Sequence, residues 1–458
     1  MAVVMTAMTS DLHLHGRSDP EYYLPSHTAV EADLSHVPTV SLRQLGHFSC
    51  SAFYPAATHL YNDRGIPFLR CVDIIDFPVL SPDQPFARIP ETFVSNHGSI
   101  RSLSAGDVVI SKVGTPCFAG LLSEDMPKSA MTRTVLGMSA IKTDTIDPYY
   151  LIAFLRSRYG FDQLMREREL TIQYQLTLER TRKIRVFLPE RPIQNEIGEK
   201  IIAYYRSLRN SIDTYYGAQQ LLESELGLDK LSFQKPVGYA ARFSTLPLSQ
   251  SFLAGRIDAQ CFSPRALFYE HWLTNLYGCE RLALLLQGAT KGRQHEDVAN
   301  GGADYCSIKH ISGRELAGVS MCNPDAGTQF AGRNDLLLAI TGATIGKIGI
   351  VKRYSRLAFS GDLLRLRVKQ GINPHYLLLA LDHSIGQVQF NRWITGSTNG
   401  HLAPRDVLRV LVPRLTPNIE NRIGELVENS LVKKLESERQ IEEAKTRVEQ
   451  LIEEAVKS

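Results

Sequence analysis

Two long stretches of the chain carry apolar residues three or four positions apart. The first follows Pro192 and runs to Gly227, and the second follows Pro417. This spacing places the apolar side chains on one face of a helix and the charged residues on the other. The pattern predicts two long helices, at residues 191–230 and 417–458, that pack as an antiparallel pair. At 1.5 Å per residue, each helix would be about 50 Å long.

The segments before these helices show short apolar runs between Gly, Pro and Asn residues. Aliphatic and β-branched runs bounded by turn formers are typical of strands. Residues 21–190 and 245–415 are therefore predicted to be α+β domains, and residues 1–20 a flexible N-terminus. The predicted strands are Val108–Val113, Ile184–Leu188, Leu336–Thr341, Lys347–Val351, Leu363–Val368 and Val407–Val412.

Each domain also contains one helix start. Asp147-Pro148 and Asn373-Pro374 place a helix N-cap residue before a proline at the first helical position. Apolar helical runs follow both pairs, which predicts helices at Tyr149–Leu164 and His375–Val388.

The second half of the chain repeats the first. Three blocks recur in the same order at offsets of 226 to 228 residues, which indicates an internal duplication of one domain plus one long helix. An antiparallel helix pair would then relate the two domains by a pseudo-twofold axis. The alternative is two unrelated domains with similar turns. The matched blocks are Gly106–Gly114 with Asn334–Gly342, Asp147–Leu151 with Asn373–Leu377, and Ile193–Glu199 with Ile419–Glu425.

The net charge of +3 conceals an uneven distribution. The helix from Pro417 onward carries ten Glu, four Lys and three Arg, so it is −3 and the preceding 416 residues are +6. The stretch from Arg156 to Arg185 holds eight basic residues against four acidic ones. Such clustering is typical of a surface that faces phosphates, although any single residue could be ordinary solvated surface. The candidates are Arg166, Arg168, Arg180, Arg182, Lys183, Lys291, Arg293, Lys347 and Arg392.

A short polar loop accompanies the charge in each domain. Thr171–Leu176 corresponds to Gly396–Leu402, and their Gln, Asn, Ser, Thr and His side chains can read base edges, although the loops could be simple turns. The small residues at Gly114-Thr115 and Thr341–Thr344 would let backbone N–H groups approach a phosphate. The candidates in and beside these loops are Lys112, Thr115, Gln173, Tyr174, Gln175, Thr341, Thr344, Ser397, Thr398, Asn399, His401 and Arg405.

The motifs that would indicate catalysis are incomplete. Gly342–Lys347 resembles a P-loop, but it has one residue too few between its glycines, and Ile348 stands where Ser or Thr should bind magnesium. The histidines show no metal-ligand spacing. Seven scattered cysteines favour free thiols in a reducing cytoplasm, and no apolar run approaches the roughly 18 residues that span a bilayer. We therefore expect a cytoplasmic binding scaffold with no catalytic or metal-ligating residues.

The order of these features resembles the specificity subunit of type I restriction–modification systems, over nearly the whole chain. The residues that carry the resemblance are Gly106–Gly114, its degenerate copy Asn334–Gly342, the helix starts at Asp147 and Asn373, the strands ending in Pro189 and Pro413, the long helices, and Arg256–Pro264 with its partial echo Glu21–Pro25. The chain departs from the family's Pro-Leu-x-x-Gln pattern at Glu190–Gln194 and Arg414–Asn418. A related methylation-associated antiphage defence system therefore stays open.

The resemblance implies two target-recognition domains that each read one half of a bipartite site on double-stranded DNA. The helices would set the spacing and dock two methyltransferase subunits, and restriction or translocase subunits could join them. The chain itself would be a non-catalytic prokaryotic subunit without cofactors, since S-adenosylmethionine and ATP with magnesium would bind to partner subunits. The alternatives are a self-contained DNA-modifying or cleaving enzyme and a structural coiled-coil adaptor. The helix residues assigned to docking are Ile197, Ile201, Leu208, Ile423, Leu426 and Leu435.

Overall fold

The chain forms two compact units of mixed helix and strand. The computed structural model describes residues 16–53, 58–114, 117–170, 173–231, 259–276, 278–396 and 399–457. The first unit contains the described residues up to Arg209 together with those from Lys434 onward, and the second runs from Asn210 to Lys433. Each unit therefore holds one domain and part of both long helices, whereas the sequence predicted each domain and each helix as separate segments. The predicted α+β class is confirmed.

Both predicted long helices are present, at Arg191–Leu226 and Pro417–Lys457. The first ends where predicted, because Gly227 adopts a left-handed conformation with φ of 66°, which glycine reaches without steric cost. A short 3₁₀ helix, Leu228–Lys230, follows. The predicted start of the second domain at residue 245 lies outside the described residues.

The two long-helix segments run antiparallel in the first unit, as predicted. In the first unit, Lys200 Nζ lies 3.2 Å from Glu443, while Arg447 lies 3.7 Å from Glu196, so ascending numbers on one helix meet descending numbers on the other. In the second unit the two helices are also in contact, since the Ser211 hydroxyl donates to the Ser430 carbonyl oxygen at 2.8 Å and Lys433 Nζ donates to the Thr214 hydroxyl at 2.9 Å. The predicted twofold relation of the two domains stays a prediction.

The domain of the first unit is built on two sheets. The central sheet has the strand order His47–Cys50, Val135–Ser139, Val108–Ser111, Ala119–Leu122 and Val79–Leu80. The second sheet has the order Arg88–Ile89, Ile66–Leu69, Ser129–Met131 and Ser102–Leu103. Two short pairs join Thr39–Ser41 to Arg185–Phe187 and Glu169–Leu170 to Tyr174–Gln175. The helices are Pro25–Ser35, Leu42–Leu45, Glu91–Asn96, Pro148–Arg156, Arg158–Arg166 and Leu178–Lys183, with 3₁₀ turns at Pro20–Tyr23, Thr58–Leu60 and Cys71–Asp73.

The domain of the second unit repeats this plan. Its central sheet has the order Leu286–Lys291, Leu363–Val368, Leu336–Ala339 and Ile348–Ile350, and its second sheet Ser320–Cys322, Ala303–Cys306, Leu357–Phe359 and Phe330–Ala331. Short pairs join Glu280–Arg281 to Leu411–Val412 and Ile311–Ser312 to Glu315–Leu316. The helices are Pro264–Asn275, Leu282–Leu285, Pro374–Asp382, Ser384–Trp393 and Pro404–Val407, with 3₁₀ turns at Ala259–Phe262, Ile308–His310 and Gly342–Thr344.

The duplication extends to individual hydrogen bonds. The Tyr150 hydroxyl donates to the Phe187 carbonyl oxygen at 2.8 Å, and the Tyr376 hydroxyl donates to the Pro413 carbonyl oxygen at 2.7 Å. Gln163 exchanges two bonds with the backbone of Arg185, and the residues 226 positions later, Gln389 and Leu411, do the same. Two unrelated domains would have no reason to share these bonds, so the internal duplication is confirmed.

Three predicted boundaries were wrong. Each helix predicted after the Asp-Pro or Asn-Pro pair is broken in two, because Ser157 and His383 adopt extended backbone with ψ of 167° and 160°. The break brings a glycine against the preceding helix: a Cβ at Gly160 would lie 2.2 Å from the Phe154 carbonyl oxygen. The strand predicted at Val407–Val412 begins only at Leu411, after a helical turn.

The described end of the N-terminal segment makes hydrogen bonds, while the flexibility predicted for residues 1–20 stays a prediction. The Arg17 guanidinium donates to Asp19 at 2.5 Å and to the Arg168 carbonyl oxygen at 2.7 Å. The Tyr23 hydroxyl donates to the Arg17 carbonyl oxygen at 2.7 Å. Residues 1–15 lie outside the described residues.

The apolar stripes of the long helices are buried within their own units. Ile197, Ile201 and Ile423 are 0% exposed and belong to the domain cores. Their predicted role in docking a partner is therefore wrong, because the domains already cover them. Leu208 and Leu426 pack half-buried against the same cores, and Leu435 is also half-buried.

In each long helix, a glycine allows close packing against the residue that caps a helix of the domain. The Asp147 carboxylate accepts the Tyr150 N–H at 2.9 Å, and the Asn373 side chain caps its helix in the same way. A Cβ at Gly198 would lie 2.7 Å from Asp147 Oδ1, and one at Gly424 would lie 2.4 Å from the Asn373 side chain. The repeated Ile-Gly-Glu segment therefore marks where the long helix passes a capping residue.

We expect Gly424→Ala to destabilise the protein by about 1 kcal/mol. The new methyl group must displace Asn373 from its cap, and losing a cap costs about 0.5–2 kcal/mol, which outweighs the helix propensity gained. Gly217→Ala is the matched control, since a Cβ there meets nothing within 4 Å. It should stabilise by roughly 0.5–1 kcal/mol. Urea denaturation measures the free energy of unfolding of both variants. A change of the same sign in the two variants would contradict the close contact of Gly424 with Asn373.

Candidate nucleic-acid interface

The polar loop and the glycine loop of each domain meet at one end of the central sheet, a region we call the loop edge. In the first unit, the Leu176 N–H donates to the Lys112 carbonyl oxygen at 3.0 Å, and Val113 bridges to Gln175. The loop edge of this unit comprises Lys112–Gly114 and Gln173–Leu176.

The same bonds recur in the second unit. The Leu402 N–H donates to the Ile340 carbonyl oxygen at 2.9 Å, and Thr341 bridges to His401. The Gly342 N–H adds a bond to the Gly400 carbonyl oxygen at 3.0 Å. The loop edge here comprises Thr341–Thr344, Gly396 and Asn399–Leu402. Loops that the sequence identified about 60 residues apart are thus held together in both copies.

Two exposed lysines extend the loop edge of the second unit. Lys291 ends the strand beside Leu363–Val368, and the next residue, Gly292, donates its N–H to the Leu363 carbonyl oxygen at 3.1 Å. The Lys347 carbonyl oxygen accepts the Ala339 N–H at 2.8 Å. Lys291 and Lys347 therefore lie at the same end of the sheet as the loops, and both are exposed.

The loop edge of the first unit carries less exposed charge. Lys112 is half-buried, with Nζ 3.7 Å from Cys50 Sγ. The Tyr174 hydroxyl donates to both oxygens of Glu21, at 2.6 and 2.8 Å, and this bond raises the pKa of Tyr174. Gln173 is exposed, and Gln175 is half-buried. Polar side chains are therefore more prominent than cations at this edge.

The two predicted contacts Arg166 and Arg392 were wrong. They are 7% and 3% exposed, and each forms an ion pair with a glutamate on the first helix of its domain, Glu31 and Glu270. Each Nε also donates to a backbone carbonyl oxygen near that helix. These guanidinium groups hold the domain together and are not accessible to a phosphate.

The predicted contact Arg180 is neutralised within the domain. Its Nε lies 2.5 Å from Glu169, and its Nη1 lies 3.0 Å from Glu167. Arg168 stacks 4.3 Å from the centre of the Tyr174 ring and lies 3.8 Å from Glu21. The acidic residues between them therefore neutralise much of the charge of the basic cluster that the sequence predicted.

The remaining predicted contacts differ in their exposure and in their ion pairing. Lys183 lies 3.1 Å from Glu179, and Arg293 lies 2.8 Å from Asp325. Arg182, Asn399 and Arg405 are exposed, while Thr341, Thr344 and His401 are half-buried. Thr115, Ser397 and Thr398 lie outside the described residues.

Arg156 belongs to the same basic cluster, but the structure gives it an internal role. Its guanidinium donates to the carbonyl oxygens of Ile74, Ile75 and Ala119, at 2.5, 3.0 and 2.6 Å. Burial lowers the pKa of Arg156 to about 10. The residue 226 positions later, Asp382, instead accepts from Arg314 at 2.6 Å and Tyr215 at 2.9 Å. The two domains therefore use opposite charges at one position to fix the helix that follows the cap.

Across the described ranges, His, Cys, Asp and Glu form no group of three or more that could hold a metal ion. No helix in the described part of the chain has the length and hydropathy to cross a bilayer.

No protein-family model and no curated protein matches the chain. The chain is similar to the S subunit of a type I restriction–modification system from M. genitalium, with 11% identity, a TM-score of 0.43, and 91% of this chain and 95% of that chain covered.

Two further solved structures are similar over comparable lengths. The HsdS subunit from Thermoanaerobacter tengcongensis has 13% identity and a TM-score of 0.28, covering 92% of this chain and 95% of that one. A chain from a structure of complex assembly in the type I R-M system has 12% identity and a TM-score of 0.29, covering 92% and 97%. At these TM-scores the likeness says nothing of function, so the function is inferred from the loops and charges of the chain itself.

We expect Arg392→Met to destabilise the second unit by about 3 kcal/mol, because removing one partner of a buried ion pair leaves the other charge uncompensated. Arg405→Met is the control, since the Arg405 side chain is 77% exposed and its loss should change the free energy of unfolding by less than about 0.5 kcal/mol. Chemical denaturation measures both variants. Equal stabilities would contradict the structural role of Arg392.

Proposed function

We propose that this chain is the DNA-recognition subunit of a restriction–modification complex or of a related methylation-associated antiphage system. Each unit reads one half of a bipartite site on double-stranded DNA. The observation that carries the proposal is the duplicated loop edge, in which the same two loops are joined by the same backbone bonds in both units.

The chemistry of the loop edge supports base recognition. Gln, Asn, Thr and His side chains offer the donors and acceptors that distinguish base pairs in the major groove. Exposed Lys291 and Lys347 provide phosphate contacts that fix position without reading sequence. Because many other cations are paired internally, electrostatic attraction is limited and base contacts would carry a large share of the recognition.

The long helices provide the docking surface for two methyltransferase subunits in this proposal. Since their apolar stripes are buried, docking must use the outward residues, which include Ile212, Tyr216 and Val432, exposed by 39%, 58% and 56%. Methylation with S-adenosylmethionine and ATP-driven cleavage would belong to partner chains, and this subunit would contribute recognition without catalysis.

Footprinting of the chain with its methyltransferase partner tests the proposal. We expect two protected half-sites separated by an unread spacer, because each unit carries its own loop edge. Replacing residues 21–190 with the equivalent domain of another such subunit should change one half-site only. Uniform protection without sequence preference would favour the structural adaptor and contradict the proposal.

We expect Lys347→Ala to weaken DNA binding at all sequences and to lower the slope of log affinity against log salt by about one, because one phosphate contact is lost. Arg422→Ala is the control, since Arg422 is exposed on the long helix of the same unit and away from the loop edge. It should keep the wild-type slope. If both variants keep that slope, the phosphate-contacting surface lies elsewhere.

A further inference from the structure

A carboxylate lies beside the loop edge of the second unit, at the start of the strand between the one that ends in Lys291 and the one that leads into the glycine loop. The Ile340 N–H donates to the backbone carbonyl oxygen of Asp362 at 2.9 Å, and the Thr341 hydroxyl donates to Asp362 Oδ1 at 2.6 Å. The next residue of this strand, Leu363, is bonded to Gly292 on the other side. Asp362 therefore separates the strand that carries Lys291 from the glycine loop, and it is partly exposed.

A partly exposed carboxylate at this place opposes the binding of a polyanion unless it meets a hydrogen-bond donor. Within the described part of the chain, no Lys or Arg forms an ion pair with Asp362, and its carboxylate accepts a hydrogen bond from the Thr341 hydroxyl. Thr341 occupies Oδ1 and fixes the carboxylate, which leaves Oδ2 as a further acceptor on a partly exposed side chain. This arrangement suits contact with a donor on the ligand.

The first unit carries a different side chain at the same position. The Lys112 N–H donates to the Thr134 carbonyl oxygen at 2.8 Å, which is the bond that Ile340 makes to Asp362. The Thr134 hydroxyl is bonded to the Thr132 hydroxyl at 2.7 Å. The backbone of the two loop edges is thus alike, and the carboxylate is a feature of the second unit at this position.

We propose that Asp362 reads the exocyclic amino group of a cytosine in the major groove of the half-site bound by the second unit. A carboxylate only accepts hydrogen bonds, and cytosine presents a donor, N4, without a neighbouring acceptor. Adenine also presents an amino group, but its adjacent N7 acceptor repels a carboxylate, and guanine and thymine present acceptors at the contact. This inference rests on the proposed function and specifies one base of the site.

Selection of binding sites from random duplex DNA, with the complete subunit and its methyltransferase partner, tests the inference. The wild type should retain one cytosine in the second unit's half-site. Asp362→Asn keeps an oxygen that accepts from Thr341 but adds a hydrogen-bond donor. The preference for cytosine over the other bases should therefore fall about tenfold, or adenine should be preferred instead, because a carboxamide pairs with adenine. The other half-site should not change, and non-specific affinity should rise because a negative charge is removed.

Two matched measurements separate recognition from structure. Thr341→Ser keeps the bond to Asp362 and should keep the cytosine preference, whereas Thr341→Val releases the carboxylate and should weaken it. With the wild-type protein, replacing the selected cytosine by N4-methylcytosine should lower affinity about tenfold, since the donor is blocked.

The possible failures are distinguishable. If the wild type selects a bipartite site but Asp362→Asn selects the same cytosine as strongly, or if N4-methylcytosine binds as well as cytosine, the role of Asp362 is overturned and the proposed function stands. If the wild type selects no bipartite site, the proposed function fails, and the role of Asp362 fails with it.

Discussion

The fold depends on burying the apolar stripes of two helices that are 36 and 41 residues long. Each unit closes a domain over its own part of the pair, so that Ile197 and Ile423 lie in domain cores. Burying one such side chain contributes about 1.5–3 kcal/mol. The close approach requires Gly198 and Gly424, because any side chain there would meet the residue that caps the neighbouring helix.

That closure fixes the position of the loop edge in each domain. The capped helix packs on the long helix, a tyrosine from it bonds to the strand that precedes the long helix, and a glutamine from the next helix bonds to the same segment. The polar loop lies between these anchored elements and is tied to the glycine loop by backbone bonds. Loops held in this way present side chains in a defined geometry, as base recognition requires.

Local sequence patterns predicted much of the fold. Caps, prolines and apolar spacing act over a few residues, so both long helices, the stop at Gly227 and five of the six predicted strands were placed correctly. The sequence also identified the polar loop and the glycine loop of each domain, but not the contact between them. The predicted helices after Asp147 and Asn373 failed at Ser157 and His383, where packing of a glycine against the preceding helix overrides the continuous apolar pattern.

The sequence by itself determined the duplication, the two long helices and the polar loops that recur in both halves. Only the tertiary structure decided which charges are available, because an ion pair such as Arg392 with Glu270 joins residues 122 positions apart. In sequence, Arg392 and Lys347 are equivalent basic residues; in the fold, one is buried in a pair and the other is exposed. The same long-range packing placed Asp362 among the lysines, since neighbouring strands bring distant residues to one edge.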